Sequence, residues 1–235
     1  MVKAELNRFL KDIKLLIFDI DGVLVDVRES YRKAIRLTAE HFSQTEIHPD
    51  EIQKLKNESG FNNDWDLTEE LLRRKGFHPK RETLIETFQA LYWGEDGDGY
   101  IASEPWLMDN MLLKGLSENY QMAVFTGRPR LEAEFVLSKN NVIHYFNPII
   151  AMEDVTKGKP DPEGIFTILN RLSMDPKMAC YFGDTYDDVR AAKNAGILPI
   201  AVLPPGAKED SIGSFLSEGA ITVFRSINEL ISIYR

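Results

Sequence analysis

The sequence predicts an α/β fold, in which a parallel β-sheet alternates with helices and a block of helices is inserted after the first strand. The apolar run of residues 15–18 has no helical spacing and leads into an acidic, glycine-containing turn, the pattern of a buried parallel strand that ends in a loop. Helical periodicity then dominates up to residue 93, and after Pro105 short strands alternate with helices. Strands joined by helices pair in parallel.

The inserted segment is predicted to contain four helices, at residues 27–42, from 49, from 66 and at 79–93. Pro49 and the acids after it suit a first helical turn, and Asp66 with Glu69 three residues later resembles a capping box. The glycine- and acid-rich stretch 94–99 lacks the ligand register of a calcium loop, and we interpret it as a linker.

The rest of the chain is predicted to supply five more strands and at least three helices. The strands are expected at residues 122–125, 148–152, 179–182, 197–203 and 221–224, and the helices at 129–139, 161–171 and 187–195.

Composition limits the classes of partner. The net charge of −9 makes a phosphate-backbone surface for nucleic acid improbable, and no apolar run reaches the length of a membrane span. The single cysteine, Cys180, lies in an apolar strand, so we interpret it as a core residue rather than a reactive thiol. The amino-terminal segment has no apolar signal region, and we expect a cytoplasmic protein.

Two carboxylates follow the first strand. Asp19 and Asp21 are two residues apart and would share one face at the strand's carboxyl end, where open α/β sheets bind ligands. Such a pair repels unless a cation or a shared proton intervenes. A polar turn after a core strand is the alternative explanation.

The later strands also end on residues suited to phosphate and metal chemistry. Thr126-Gly127-Arg128 offers a hydroxyl and a glycine where an anion can approach, although Thr126 alone could be a helix cap. Lys159 lies before Pro160, and Asp161 is placed to cap the next helix. After the strand 179–182 come Gly183, Asp184 and Asp188. Helix capping would explain a single acid, but it does not explain four acids that follow different strands and converge beside a lysine.

These stretches, at residues 18–24, 125–127, 158–161 and 183–188, resemble the four ordered motifs of the haloacid dehalogenase superfamily. The resemblance implies a Rossmann-like parallel-sheet core at residues 1–25 and 104–235, with an α-helical cap at 26–103. That cap is similar to the one in the subgroup of phosphoglycolate phosphatase and β-phosphoglucomutase. It further implies magnesium-dependent phosphoryl transfer through an aspartyl-phosphate.

The resemblance assigns the expected roles residue by residue. Asp19 would be the nucleophile, Asp21 the general acid and base, Thr126 a ligand of a phosphoryl oxygen, and Lys159 the compensating charge. Mg²⁺ would be bound by Asp19 and Asp184, by the carbonyl of Asp21 and by waters that Asp188 orients. Further expected phosphate contacts are Gly22, Gly127 and Arg128. The neighbouring Lys157 and Asp187 do not fit the family pattern.

The expected reaction is hydrolysis of a small-molecule phosphate monoester. A phosphomutase of the same superfamily and a catalytically silent metal-binding module are the alternatives, and the natural substrate and oligomeric state stay open. The cap loop ending in Asn62, Asn63, Asp64 and Trp65 is either a substrate-recognition segment or a helix-starting turn with a packing tryptophan.

Overall fold

The structure is a computed structural model that describes residues 11–56, 58 and 63–231. The chain divides into two compact units. One contains the chain up to Asp26 and resumes at Trp106, and the other spans Val27–Pro105.

The first unit is built on a six-stranded sheet. In chain order its strands β1 to β6 are Leu15–Phe18, Gln121–Phe125, Ile149–Ile150, Ala179–Gly183, Leu198–Val202 and Thr222–Phe224. All pair in parallel, in the order β3-β2-β1-β4-β5-β6. The predicted α/β fold with a parallel sheet is therefore confirmed, and β1 lies between β2 and β4 as the central strand.

Nine α-helices occur among the described residues. In chain order α1 to α9 are Tyr31–Ser43, Pro49–Lys56, Asp64–Arg74, Arg81–Tyr92, Asn110–Ser117, Arg130–Lys139, Glu163–Leu172, Tyr186–Asn194 and Ser211–Glu218. Helices α1 to α4 belong to the second unit. No helix in the described part of the chain is long and apolar enough to cross a bilayer.

Both faces of β1 are buried, as expected for a central parallel strand. Leu15 and Ile17 belong to a core cluster with side chains of α7 and α8, where Ala191 and Ala192 are both fully buried. Phe18 points to the other face and stacks on Phe182 with ring centroids 5.0 Å apart. Packing on both faces fixes the strand whose end carries Asp19.

The second unit has an aromatic core of its own. Tyr31 and Tyr92 stack with ring centroids 3.9 Å apart, beside Phe88. Ser30 Oγ and Tyr92 Oη donate hydrogen bonds of 2.6 and 3.1 Å to the buried carboxylate of Glu104. These contacts join α1, α4 and the end of the unit.

Several element boundaries differ from the predictions. The predicted capping box at Asp66 is wrong: α3 begins at Asp64, and Asn63 Oδ1 accepts bonds from the backbone N–H groups of Trp65 and Asp66. Helices α5 and α9 are absent from the prediction. Helix α7 begins at Glu163, whose N–H donates to Asp161 Oδ1 at 3.0 Å.

The glycine-rich stretch 94–99 lies inside the second unit rather than between the units. It closes a turn after α4, because Gly94 N–H donates to Gln89 O and Gly99 N–H donates to Trp93 O. The interpretation as a linker is therefore corrected to a turn within one unit.

Candidate active site

The site lies at the carboxyl ends of three adjacent strands. Asp19 follows β1, Thr126 follows β2 and Asp184 follows β4. The Asp19 N–H donates to Phe182 O at 2.8 Å, and the Thr126 N–H donates to Ile150 O at 3.0 Å, so each residue extends its strand's ladder. Sheet pairing thus brings these side chains to one edge.

Three carboxylates meet at this edge. Asp19, Asp184 and Asp188 each offer an oxygen, and these oxygens lie within 4.8 Å of one another. Asp19 and Asp188 are buried and Asp184 is half-buried. Carboxylate oxygens are hard ligands, and close like charges need compensation, so the cluster can hold a divalent metal ion. Of the predicted metal residues, the structure brings these three together, while the Asp21 carbonyl contact stays a prediction.

The buried ammonium of Lys159 neutralises part of this charge. Its Nζ lies 2.6 Å from Asp188 Oδ1 and 3.2 Å from Asp19 Oδ1. Burial lowers the pKa of Lys159, but the charges of Asp188 and Asp19 outweigh it and raise that pKa above its usual value, so the amine stays charged. Burial raises the pKa of Asp19, Lys159 opposes the shift, and Asp188 and Asp21 add to it.

Asp188 is held by protein donors on both of its oxygens. Lys159 Nζ donates to Oδ1, and Tyr181 Oη lies 3.1 Å from the same oxygen. The N–H and Oγ of Thr185 donate to Oδ2 at 2.9 and 2.7 Å, within the capping box that starts α8. Asp188 therefore orients Lys159 as well as belonging to the acidic cluster.

Tyr181 is a site residue that the sequence analysis missed. Its hydroxyl donates to Phe125 O at 2.8 Å and lies 3.1 Å from Lys159 Nζ. In a strand a buried tyrosine is ordinarily a packing residue, which hid this role. The sequence signal that could have identified Tyr181 is its position two residues before Gly183. Alternate residues of a strand share a face, and this face leads to the site.

Gly22 has a steric reason to be glycine. Its φ is +70°, and a Cβ added there would lie 2.1 Å from Asp184 Oδ2. Backbone can therefore approach the acidic cluster only because no side chain intervenes. Gly127 lies in the bend between Thr126 and Arg128, and its predicted phosphate contact stays a prediction.

The structure gives the Arg128 side chain a protein partner, and its predicted phosphate contact stays a prediction. This side chain is buried, and its Nε and Nη2 lie 2.6 and 2.5 Å from Asp21 Oδ1. A buried guanidinium needs a carboxylate partner, and Asp21 supplies it. The residues set aside in the sequence analysis lie outside the cluster: Lys157 is exposed and Asp187 pairs with Arg190 at 3.3 Å.

The predicted cap residues have structural contacts within the second unit. Asn63 caps α3, and Asp64 pairs with Lys56 at 3.0 Å. Trp65 is half-buried, and Asn62 lies outside the described residues. These contacts agree with the interpretation as a helix-starting turn, and recognition of substrate by this loop stays a prediction.

Known proteins are similar to this chain in sequence and in fold. A Phytophthora nicotianae protein named imidazoleglycerol-phosphate dehydratase is 36% identical over 207 residues, which are 85% of this chain and 45% of that longer protein. A phosphorylated carbohydrates phosphatase of Thermotoga maritima is 29% identical over 199 residues, covering 79% of this chain and 82% of its own. The crystal structure of a predicted phosphoglycolate phosphatase from Haemophilus somnus has a TM-score of 0.76 at 17% identity, covering 95% and 99% of the two chains.

The family model for haloacid dehalogenase-like hydrolases matches residues 16–202, a range that includes every strand end described above except that of β6. The match confirms the resemblance drawn from the four sequence motifs. The chain belongs to the haloacid dehalogenase-like hydrolase family.

Proposed function

We propose that this protein is a phosphatase that hydrolyses a small-molecule phosphate monoester through an aspartyl-phosphate intermediate, with Mg²⁺ as its metal ion. The observation that carries the proposal is the contact of Lys159 Nζ with Asp19 Oδ1 at 3.2 Å inside the three-carboxylate cluster. A carboxylate held beside a fixed cation at a strand end is placed to attack phosphorus while the cation offsets the charge of the phosphoryl oxygens.

The chain's own residues divide the work between two steps. In the first, an oxygen of Asp19 attacks phosphorus, the bond from phosphorus to the leaving oxygen breaks, and Asp21 gives that oxygen a proton. In the second, Asp21 takes a proton from water, the resulting hydroxide attacks phosphorus, and the bond from phosphorus to Asp19 breaks. Inorganic phosphate leaves and Asp19 returns to its starting form.

Thr126 and Lys159 bind the phosphoryl group in this scheme. Thr126 is buried, and its Oγ1 accepts the N–H of Arg128 at 3.2 Å, so its own hydroxyl hydrogen is directed to another acceptor. A phosphoryl oxygen is the acceptor that we propose. Mg²⁺ would be held by Asp19 and Asp184 and by waters that Asp188 orients. It would neutralise further negative charge on the phosphoryl group.

Turnover with and without Mg²⁺ tests the function. We expect the wild-type protein to release inorganic phosphate from p-nitrophenyl phosphate, to stop after exhaustive chelation with EDTA, and to recover with Mg²⁺ but poorly with Ca²⁺, whose looser shell misplaces the nucleophile. Asp19→Asn should lower kcat by roughly a thousandfold or more, because an amide cannot form the acyl-phosphate. Asp187→Asn, on the same edge but paired to Arg190, is the matched control and should keep its activity.

A panel of esters narrows the substrate. It should hold sugar phosphates, phosphoglycolate and imidazoleglycerol phosphate, which the names of the relatives and the resemblance suggest. A phosphomutase would return an isomeric ester instead of inorganic phosphate. A catalytically silent module would bind metal and turn over none of them. Full activity after chelation, or in Asp19→Asn, would contradict the proposal. A cytoplasmic location belongs to the same proposal and is supported by the buried, free thiol of Cys180.

A further inference from the structure

The Arg128 side chain is the largest of the fully buried side chains among the described residues, and it carries a charge. Two of its nitrogens lie within 2.6 Å of the same atom, Asp21 Oδ1. Only 1% of the Arg128 side chain is exposed, against 22% of the Asp21 side chain. The guanidinium therefore approaches the carboxylate from the protein interior, and Asp21 keeps an accessible side.

The backbone around Arg128 is fixed on both sides. Its N–H donates to Thr126 Oγ1 at 3.2 Å, and its carbonyl accepts the N–H of Met152 at 2.9 Å. From this anchored position after β2, the side chain reaches Asp21 in the loop after β1. A planar guanidinium fixes the orientation of its partner more strongly than an ammonium does.

We propose that Arg128 is a positioning residue that holds Asp21 through Oδ1, so that Oδ2 is the oxygen that exchanges protons with the leaving group and with water. The inference rests on the proposed function, since it assigns a partner to the acid and base of that reaction. Arginine does not give up its own proton near neutral pH, so Asp21 remains the group that transfers it. Arg128 acts on the reaction only through Asp21.

The dependence of rate on the leaving group tests this role. Proton donation matters most for an ester with a poor leaving group, such as phenyl phosphate, and least for 2,4-dinitrophenyl phosphate, whose phenolate leaves unaided. We expect Arg128→Met to lower kcat/KM for phenyl phosphate by roughly ten- to a hundredfold more than for the dinitrophenyl ester, part of the usual general-acid contribution. The ratio kcat/KM is used because it reports the steps up to the first phosphoryl transfer.

Four further variants make the comparison decisive. Arg130→Met, two residues away and paired with Glu134 and Asp154 instead of Asp21, is the matched control and should treat both esters as the wild type does. Asp21→Asn should show the same selective loss, and adding Arg128→Met to it should cost little more, because a positioning residue has nothing left to position. If Arg128→Met fails to fold, Arg128→Lys keeps the charge without the fork and should give a smaller loss of the same selectivity.

Equal losses on both esters in a folded Arg128 variant, or additive losses with Asp21→Asn, would overturn the positioning role while the phosphatase function stands. A wild-type protein that hydrolyses neither ester would overturn the function and this role together.

Discussion

Replacing Lys159 by methionine removes a cation that touches two carboxylates of the acidic cluster. Methionine has a similar length, so the change removes charge and hydrogen bonds more than volume. The Nζ lies 2.6 Å from Asp188 and 3.2 Å from Asp19, and only 3% of the lysine side chain is exposed. Solvent screening therefore removes little of the effect.

The magnitude follows from these distances. At an effective dielectric constant of about 20, the two attractions are worth about 6 and 5 kcal/mol, before the cost of desolvating the three charges is subtracted. Asp188 keeps its two hydrogen bonds from Thr185, which limits the loss. Breaking a buried ion pair by removing one partner costs about 3–5 kcal/mol, and we expect Lys159→Met to lower the free energy of unfolding by that amount.

Urea denaturation in the presence of EDTA measures this effect without a metal ion that could replace the lysine charge. Lys157→Met is the matched control, since that lysine is exposed, and its change should stay within about 0.5 kcal/mol. A loss below about 1 kcal/mol for Lys159→Met, or equal losses for the two variants, would show that the Lys159 contacts do not stabilise the fold.

Three further predictions concern other positions. Burial raises the pKa of the Cys180 thiol, so Ellman's reagent should label the native protein far more slowly than the urea-unfolded protein. Gly22→Ala should abolish turnover and lower the free energy of unfolding by about 1–3 kcal/mol, because its φ of +70° strains alanine and the added Cβ meets Asp184. Asn63→Ala should lower the free energy of unfolding by about 1 kcal/mol, the usual value of a lost helix cap, and should leave the ratio of kcat/KM for small and large esters unchanged.

Each of these three predictions has an outcome that would contradict it. Rapid labelling of native Cys180 would show that the thiol is accessible. An active Gly22→Ala protein would show that Asp184 can move without loss. A selective fall in kcat/KM for large esters in Asn63→Ala, with unchanged stability, would assign Asn63 to substrate recognition instead of capping.

The parts of the site that depend on strands are the parts that could be predicted best from the sequence. An apolar run with both faces buried is recognisable without knowledge of its neighbours, and parallel pairing then brings Asp19, Thr126 and Asp184 to one edge. Lys159 could also be predicted, since its place in the ordered series distinguishes it from Lys157.

Side-chain partners could not be predicted in the same way. Arg128 and Asp21 are 107 residues apart, and either could have faced a phosphate group. Asn63 and Asp66 are both common helix-capping residue types, and in the structure Asn63 caps α3 while Asp66 pairs with Arg81 at 2.5 Å. Short helices such as α5 and α9 carry too few turns for periodicity to distinguish them from loops.

The proposed mechanism requires that Asp19 becomes covalently phosphorylated. The direct measurement is mass spectrometry of protein mixed with p-nitrophenyl phosphate and Mg²⁺, quenched in acid and digested with trypsin. We expect the tryptic peptide of residues 15–28 to gain the mass of one phosphoryl group, hydroxylamine to remove that group, and fragmentation to place it on Asp19. Turnover with no adduct in wild-type protein, or an adduct that persists in Asp19→Asn, would contradict the mechanism.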